Sequence, residues 1–226
     1  MKKKWRIFMP AWISPSITEA ALTARLKRLP SAGWMRAIRS SLFLLCAIPA
    51  VLLLAGLFSG GLGVNPVETL LLETGVWGLR FLLVTLAITP LRWLTGAAWV
   101  VQLRRQLGLW AFFYVVLHFA VYAVFENSLV LSAMLEDIAK RPFVLVGMAA
   151  LLMLLPLALT SNRFSIKRLG RHWRQLHWLI YPAAVLGLVH FFWIIRANRW
   201  AEPVAYAVIL AVLFGWRLQK RWRPAL

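Results

Sequence analysis

The chain has 226 residues, 62% of them hydrophobic, with a mean hydropathy of +0.74. Soluble domains hold about 45–50% apolar residues, so the long apolar blocks read as lipid-solvated. Its formal charge is +19, from 26 Lys+Arg against 7 Asp+Glu. The basic residues fall between apolar blocks, which assigns the charge to topology and anionic headgroups and argues against nucleic-acid binding. A single cysteine, Cys46, excludes an intrachain disulfide framework and iron–sulfur clusters, and the lack of a CxxCH excludes covalent c-type haem. Cys46 lies in an apolar run and reads as a small packed side chain.

In chain order, the opening MKKKWRIFMPAWISP has a basic start, but its apolar stretch is too short and is broken by Pro10 and Pro15, so it does not read as a cleaved signal peptide. Residues 1–36 read as a basic cytoplasmic extension, with Ile17–Leu29 able to form a short helix on the membrane surface. A hydrocarbon core about 30 Å thick needs about 20 apolar helical residues. Six stretches qualify: Ser40–Phe58, Gly75–Leu94, Leu107–Phe125, Pro142–Thr160, Leu176–Ile195 and a shorter Pro203–Trp216. Alternating strands of a closed barrel are absent, and no internal repeat stands out. The expected fold is an all-α membrane protein: a six-helix transmembrane domain over residues 37–216, followed by a basic cytoplasmic tail over 217–226.

Charge sets the orientation. Lys2, Lys3, Lys4, Arg6, Arg25, Lys27, Arg28, Arg36 and Arg39 precede the first span, and Arg104 and Arg105 lie between the second and third. Arg163, Lys167, Arg168, Arg171 and Arg174 lie between the fourth and fifth, and Arg217, Lys220, Arg221 and Arg223 follow the sixth. The other three loops hold Glu68, Glu73, Glu126, Glu136, Asp137 and Glu202 with few cations. By the positive-inside rule both termini face the cytoplasm. Trp93, Trp99, Trp173, Trp178, Trp193, Trp200 and Trp216 read as an interfacial aromatic belt, and Tyr114, Tyr122 and Tyr181 as packing residues.

Ionisable residues inside a membrane are rare and usually functional. Of four histidines, His172 lies in a basic loop and reads as solvated. His118 sits about 16 Å into the third span and His190 about 21 Å into the fifth, at 1.5 Å per residue. Both spans run outward, so the two lie at comparable depth in the outer half. Two neutral imidazoles facing each other across a bundle suit the axial positions of a haem iron, and no nearby carboxylate or thiol completes a zinc site. His177 lies about 20 Å nearer the inner face, where a second haem would need a partner from the third span. Arg104 and Arg105 stand there instead. Either His177 ligates an inner haem with an unusual sixth partner, or that haem is absent. Arginine at this place suits haem propionates or a flavin phosphate. The 13 residues from His177 to His190 are about 3.6 turns, so the two do not share a straight stripe, and Pro182 is the residue that can change the phase. Arg80, in the second span, either snorkels to outer headgroups or pairs with an outer propionate.

Several stretches together cover most of residues 55–215: GGLGVNPVE (Gly60–Glu68), TGVWGLRFLLVTLAITPLR (Thr74–Arg92), RRQLGLWAFFYVVLHFAVY (Arg104–Tyr122), KRPFVLVGM (Lys140–Met148) and LTSNRFSIKRLGRHWRQLHWLIYPAAVLGLVHFFW (Leu159–Trp193). In these the chain resembles the MsrQ (YedZ) family, the haem-binding membrane subunits of bacterial protein-methionine-sulfoxide reductase systems, within the ferric-reductase-like transmembrane group. The N-terminal extension departs from that pattern. The resemblance implies haem b and FMN, with the family's haem histidines falling on His118, His177 and His190. It implies an inner-membrane electron-transfer subunit that takes electrons from the quinone pool or a cytoplasmic flavin reductase. It hands them to a periplasmic molybdopterin-containing methionine sulfoxide reductase subunit that repairs oxidised periplasmic proteins. FMN is placed on no residue. With no Rossmann-type glycine motif, a nicotinamide site is not expected in this chain. A stand-alone cytochrome b acting as a quinol or ferric reductase, and a non-redox transporter or assembly factor, are the alternative readings.

Overall fold

A computed structural model of the chain describes residues 30–195 and 199–222. The surface helix expected over Ile17–Leu29 lies outside the described residues. Those residues contain no strand, and six of the helical stretches are long and apolar enough to cross a membrane.

The first helix, α1 (Ala32–Ser59), begins inside the stretch read as an extension. The reason is local: Ser31 follows Pro30 and caps the helix, its hydroxyl accepting from the Trp34 amide at 3.2 Å. Gly60 ends it in the left-handed conformation, at φ 72°. α2 (Pro66–Thr95) starts well before the apolar core of its span. Asn65 accepts from the Glu68 amide and donates back to the Glu68 carboxylate, a reciprocal cap, with Pro66 preset in the first turn. Apolar content measures what lipid requires, whereas caps decide where the helix begins.

A 3-10 segment, Ala98–Leu103, leads into α3 (Arg104–Val121), which passes into one turn of π-helix, Tyr122–Glu126. The short amphipathic α4 (Leu131–Lys140) follows, then α5 (Pro142–Leu159). Two short helices, α6 (Arg163–Leu169) and α7 (Arg171–Leu176), precede a 3-10 turn at His177–Leu179 and α8 (Ile180–Ile194). The phase change expected at Pro182 is thus a break of helix type. Pro182 sits in the first turn of α8, and the preceding residues wind at about 3.0 per turn instead of 3.6. The last helix, α9 (Ala201–Trp222), runs past the predicted sixth span.

The tightest packing joins α2 to α3 and α5 to α8. The shared core includes Leu79, Leu82, Leu86, Leu107, Ala111, Tyr114, Leu154, Ala183, Ala184 and Leu188. α1 lies to one side, and most of its apolar residues, including Leu44, Leu52 and Phe58, remain exposed, as lipid-facing residues do.

Candidate functional site

His118 projects from α3 and His190 from α8, and their ring centroids are 6.0 Å apart with planes at 84°. Metal–imidazole bonds of about 2 Å on either side of one metal place two ring centres about 6 Å apart. The rings are locked by a matching device. His118 Nδ1 lies 2.9 Å from the Leu71 carbonyl in α2, and His190 Nδ1 lies 2.7 Å from the Phe143 carbonyl in α5. In each case the acceptor precedes its histidine by 47 residues. A carbonyl oxygen only accepts, so both Nδ1 atoms carry the proton and both Nε2 lone pairs are free. Carbonyl-held imidazoles of this kind are the usual metal-ligand arrangement.

One turn beyond each acceptor lies a glycine that makes room for the ring. A Cβ on Gly75 would come within 3.1 Å of His118, and one on Gly147 within 2.8 Å of His190. Each imidazole therefore lies against bare backbone of a neighbouring helix. Sequence inspection showed no repeat here because only the carbonyl, the glycine and the histidine recur.

His177 is separate from this pair. Its Nδ1 donates to the Trp173 carbonyl at 3.0 Å, and its ring stacks on the Trp173 indole at 3.8 Å. Its Nε2 is buried without a hydrogen-bond partner, the only such buried side-chain atom among the described residues. A buried unpaired nitrogen is costly, and a ligand bond removes the cost. Arg104 is half-buried and within direct electrostatic reach of His177, Tyr181 and Arg217, whereas Arg105 is exposed. Of the two, Arg104 is the one that interacts electrostatically with His177, and Arg105 is solvent- or headgroup-exposed.

Arg80, expected from sequence to meet outer headgroups or an outer propionate, is engaged within the protein. Its Nε donates to Tyr206 at 2.7 Å, one Nη donates to Glu202 at 2.7 Å, and the guanidinium lies 4.8 Å from the Trp77 ring centre. Tyr206 donates to the same carboxylate at 2.6 Å. This triad joins α2 to α9, and the Glu202 and Tyr206 positions carried no signal in the apolar pattern.

Tyr114, Tyr122 and Trp173 do more than pack, whereas Tyr181 makes ring contacts with Phe214 and Arg217. Tyr114 is fully buried. Its hydroxyl donates to the Cys46 carbonyl at 2.8 Å and accepts from the Ala50 amide at 2.9 Å. It thereby bridges one turn of α1 at Pro49. Tyr122 donates to Asp137 at 2.9 Å, and Trp173 donates from its indole to Thr160 while carrying the His177 ring.

Among the described residues, no cluster of three or more His, Cys, Asp or Glu is placed to hold a metal ion. His118 and His190 together offer two imidazole donors, a set that would fit a metal already enclosed in a macrocycle.

The family model described as the ferric reductase like transmembrane component matches residues 74–188, a range that holds His118 and His177 and ends two residues before His190. The chain is 44% identical over 195 residues to the protein-methionine-sulfoxide reductase heme-binding subunit MsrQ of Azospira oryzae, covering 86% of this chain and 84% of that protein. The chain belongs to the MsrQ family. It is also 50% identical to the MsrQ of Xanthomonas euvesicatoria, covering 72% of this chain and 74% of the relative, and 50% identical to that of Brucella anthropi, covering 71% and 72%. No solved structure matches. Six apolar helices and membership of this family make the chain a multi-pass protein of a bacterial inner membrane.

Proposed function

We propose that this chain is the haem b-binding electron-transfer subunit of a protein-methionine-sulfoxide reductase system, with His118 and His190 as the axial pair of one haem. The observation that carries this reading is the 6.0 Å pair of imidazoles, both held through Nδ1. Haem b supplies a one-electron couple when bound there. The chain's own residues do the rest. The Leu71 and Phe143 carbonyls orient the rings and raise their basicity. Gly75 and Gly147 admit the rings to the helix surface, and the surrounding apolar side chains limit solvent.

His177 is the ligand of a second haem in this reading, supported by its unpartnered Nε2. Arg104 is its neighbouring anion-binding group, for a propionate or a flavin phosphate, with Arg105 beside it at the surface. The basic loops face the cytoplasm and both termini lie there. Electrons enter at that side from the quinone pool or a cytoplasmic flavin reductase, with FMN as the implied second cofactor. They leave at the acidic side, to a periplasmic molybdopterin-containing catalytic subunit that docks near residues 126–141. Sulfoxide chemistry belongs to that partner.

The test is a dithionite-reduced minus oxidised spectrum of the purified protein with pyridine haemochrome quantification. His118→Ala and His190→Ala should each abolish the same b-type α-band component, and His177→Ala should abolish a different one. A wild-type protein that stays colourless after reconstitution with haem would overturn the reading. Reoxidation of the reduced protein by the periplasmic subunit plus methionine sulfoxide, and not by ferric chelates, would favour this role over a stand-alone ferric reductase.

A further inference from the structure

Pro90 lies inside α2, and its ring nitrogen has no hydrogen to offer the Leu86 carbonyl one turn earlier. In a lipid-embedded helix a carbonyl freed in this way must find another donor. Arg217 of α9 is that donor. One of its Nη atoms hydrogen-bonds to the Leu86 carbonyl and the other to the Leu213 carbonyl, the latter at 2.7 Å. The sequence placed Arg217 at the start of a basic cytoplasmic tail. In the structure it is fixed between two helices, its charge held where the proline opened the backbone.

That charge faces the His177 region. The Arg217 guanidinium lies 5.7 Å from the ring centre of Tyr181, one turn beyond His177, and is within electrostatic reach of Arg104. Two arginines and an unpartnered imidazole nitrogen share one end of the bundle, and among the described residues neither arginine is paired with a carboxylate. We propose that Arg217 is a positioning residue for the His177 site. It acts with Arg104 to hold the anionic carboxylates of the group bound there and to favour its reduced form. This rests on the reading that His177 holds a haem. A ferric haem that takes one electron becomes ferrous and gains one negative charge, which two nearby guanidinium groups stabilise. Arg217 reaches this position because Pro90 leaves Leu86 unpaired.

Pro90→Ala separates this role from simple helix repair, since it returns an amide donor to Leu86. In that background, Arg217→Gln leaves no orphan carbonyl and removes only the charge. The experiment is a dithionite and ferricyanide redox titration of Pro90→Ala, Pro90→Ala/Arg217→Gln and Pro90→Ala/Arg217→Lys, with His177→Ala identifying the haem concerned. The expected result is about a tenfold weaker reduction of the His177 haem in the Gln variant, 59 mV for a one-electron couple. The Lys variant should stay near Pro90→Ala, and the His118/His190 haem should be unchanged. Selective loss of the His177 haem in the Gln variant, at unchanged thermal stability, also supports the proposal. An unchanged potential with both haems in place would reduce Arg217 to a helix cap and overturn it, as would loss of both haems together with stability. If His177→Ala removes no haem, the His177 reading itself fails, which is a distinct result.

Discussion

Gly147→Ala adds one methyl group where the His190 ring rests on α5. The new Cβ would stand 2.8 Å from Cε1, 2.9 Å from Nδ1 and 3.2 Å from Nε2 of that ring, all inside normal carbon contact of about 3.5 Å. The ring cannot turn aside freely, because its Nδ1 is held 2.7 Å from the Phe143 carbonyl. Relief requires the ring to back away, which stretches that bond, or α5 to move from α8. Overpacking of this kind costs about 1–3 kcal/mol, and disturbing a ligand's supporting hydrogen bond lowers metal affinity about 10–100-fold. Gly75→Ala meets His118 at 3.1 Å, a milder contact, so its loss should be smaller. Gly215→Ala meets nothing within 4 Å and should bind haem normally, with helix stability raised by up to about 1 kcal/mol. Haem titration of the three apo-variants, with haemochrome quantification, gives the ranking. Wild-type haem affinity and an unchanged α-band in Gly147→Ala would refute the cradle argument.

Tyr114→Phe removes the bridge between Ala50 N–H and Cys46 C=O at the Pro49 break. It should cost about 1–3 kcal/mol in thermal unfolding in detergent while leaving the haem spectrum intact; a lost spectrum would instead tie Tyr114 to the cofactor. Arg80→Gln should cost about 1 kcal/mol, because the Arg80 and Glu202 side chains are 35% and 36% exposed. The Arg80→Gln/Glu202→Gln double variant should be more stable than the summed single losses, and additive losses would show the pair to be uncoupled. Asn65→Ala should destabilise by about 1 kcal/mol through loss of the α2 cap, with no change in redox spectra, and equal stability would mean that Pro66 alone starts the helix.

Six apolar stretches were legible because lipid imposes a length on the sequence. Depth arithmetic also put His118 beside His190, since rise per residue is constant in a helix and the structure sets their rings 6.0 Å apart. The partners that hold the rings were not legible. Leu71 and Phe143 act through backbone oxygen, which every residue has, so side-chain identity carries no trace of the role. Gly75 and Gly147 left only a faint signal, because Gly78 in the one span and Ala149 and Ala150 in the other are small as well. Arg217 had a readable cue in Pro90, whose missing amide obliges some donor to come to Leu86, but the choice among nearby cations needed the packing of α9 on α2. Tyr114 had a similar cue in Pro49, missed because an aromatic residue in an apolar run looks like filling.

Each histidine is held by the span that precedes it: α2 finishes His118 in α3, and α5 finishes His190 in α8. Each half of the centre is therefore complete once its own pair of consecutive spans has entered the bilayer. The hydrogen bond that orients each ring thus lies within its own pair of spans and does not depend on the other pair. A group bound between the two rings would therefore bridge two hairpins that each carry their own support for one imidazole.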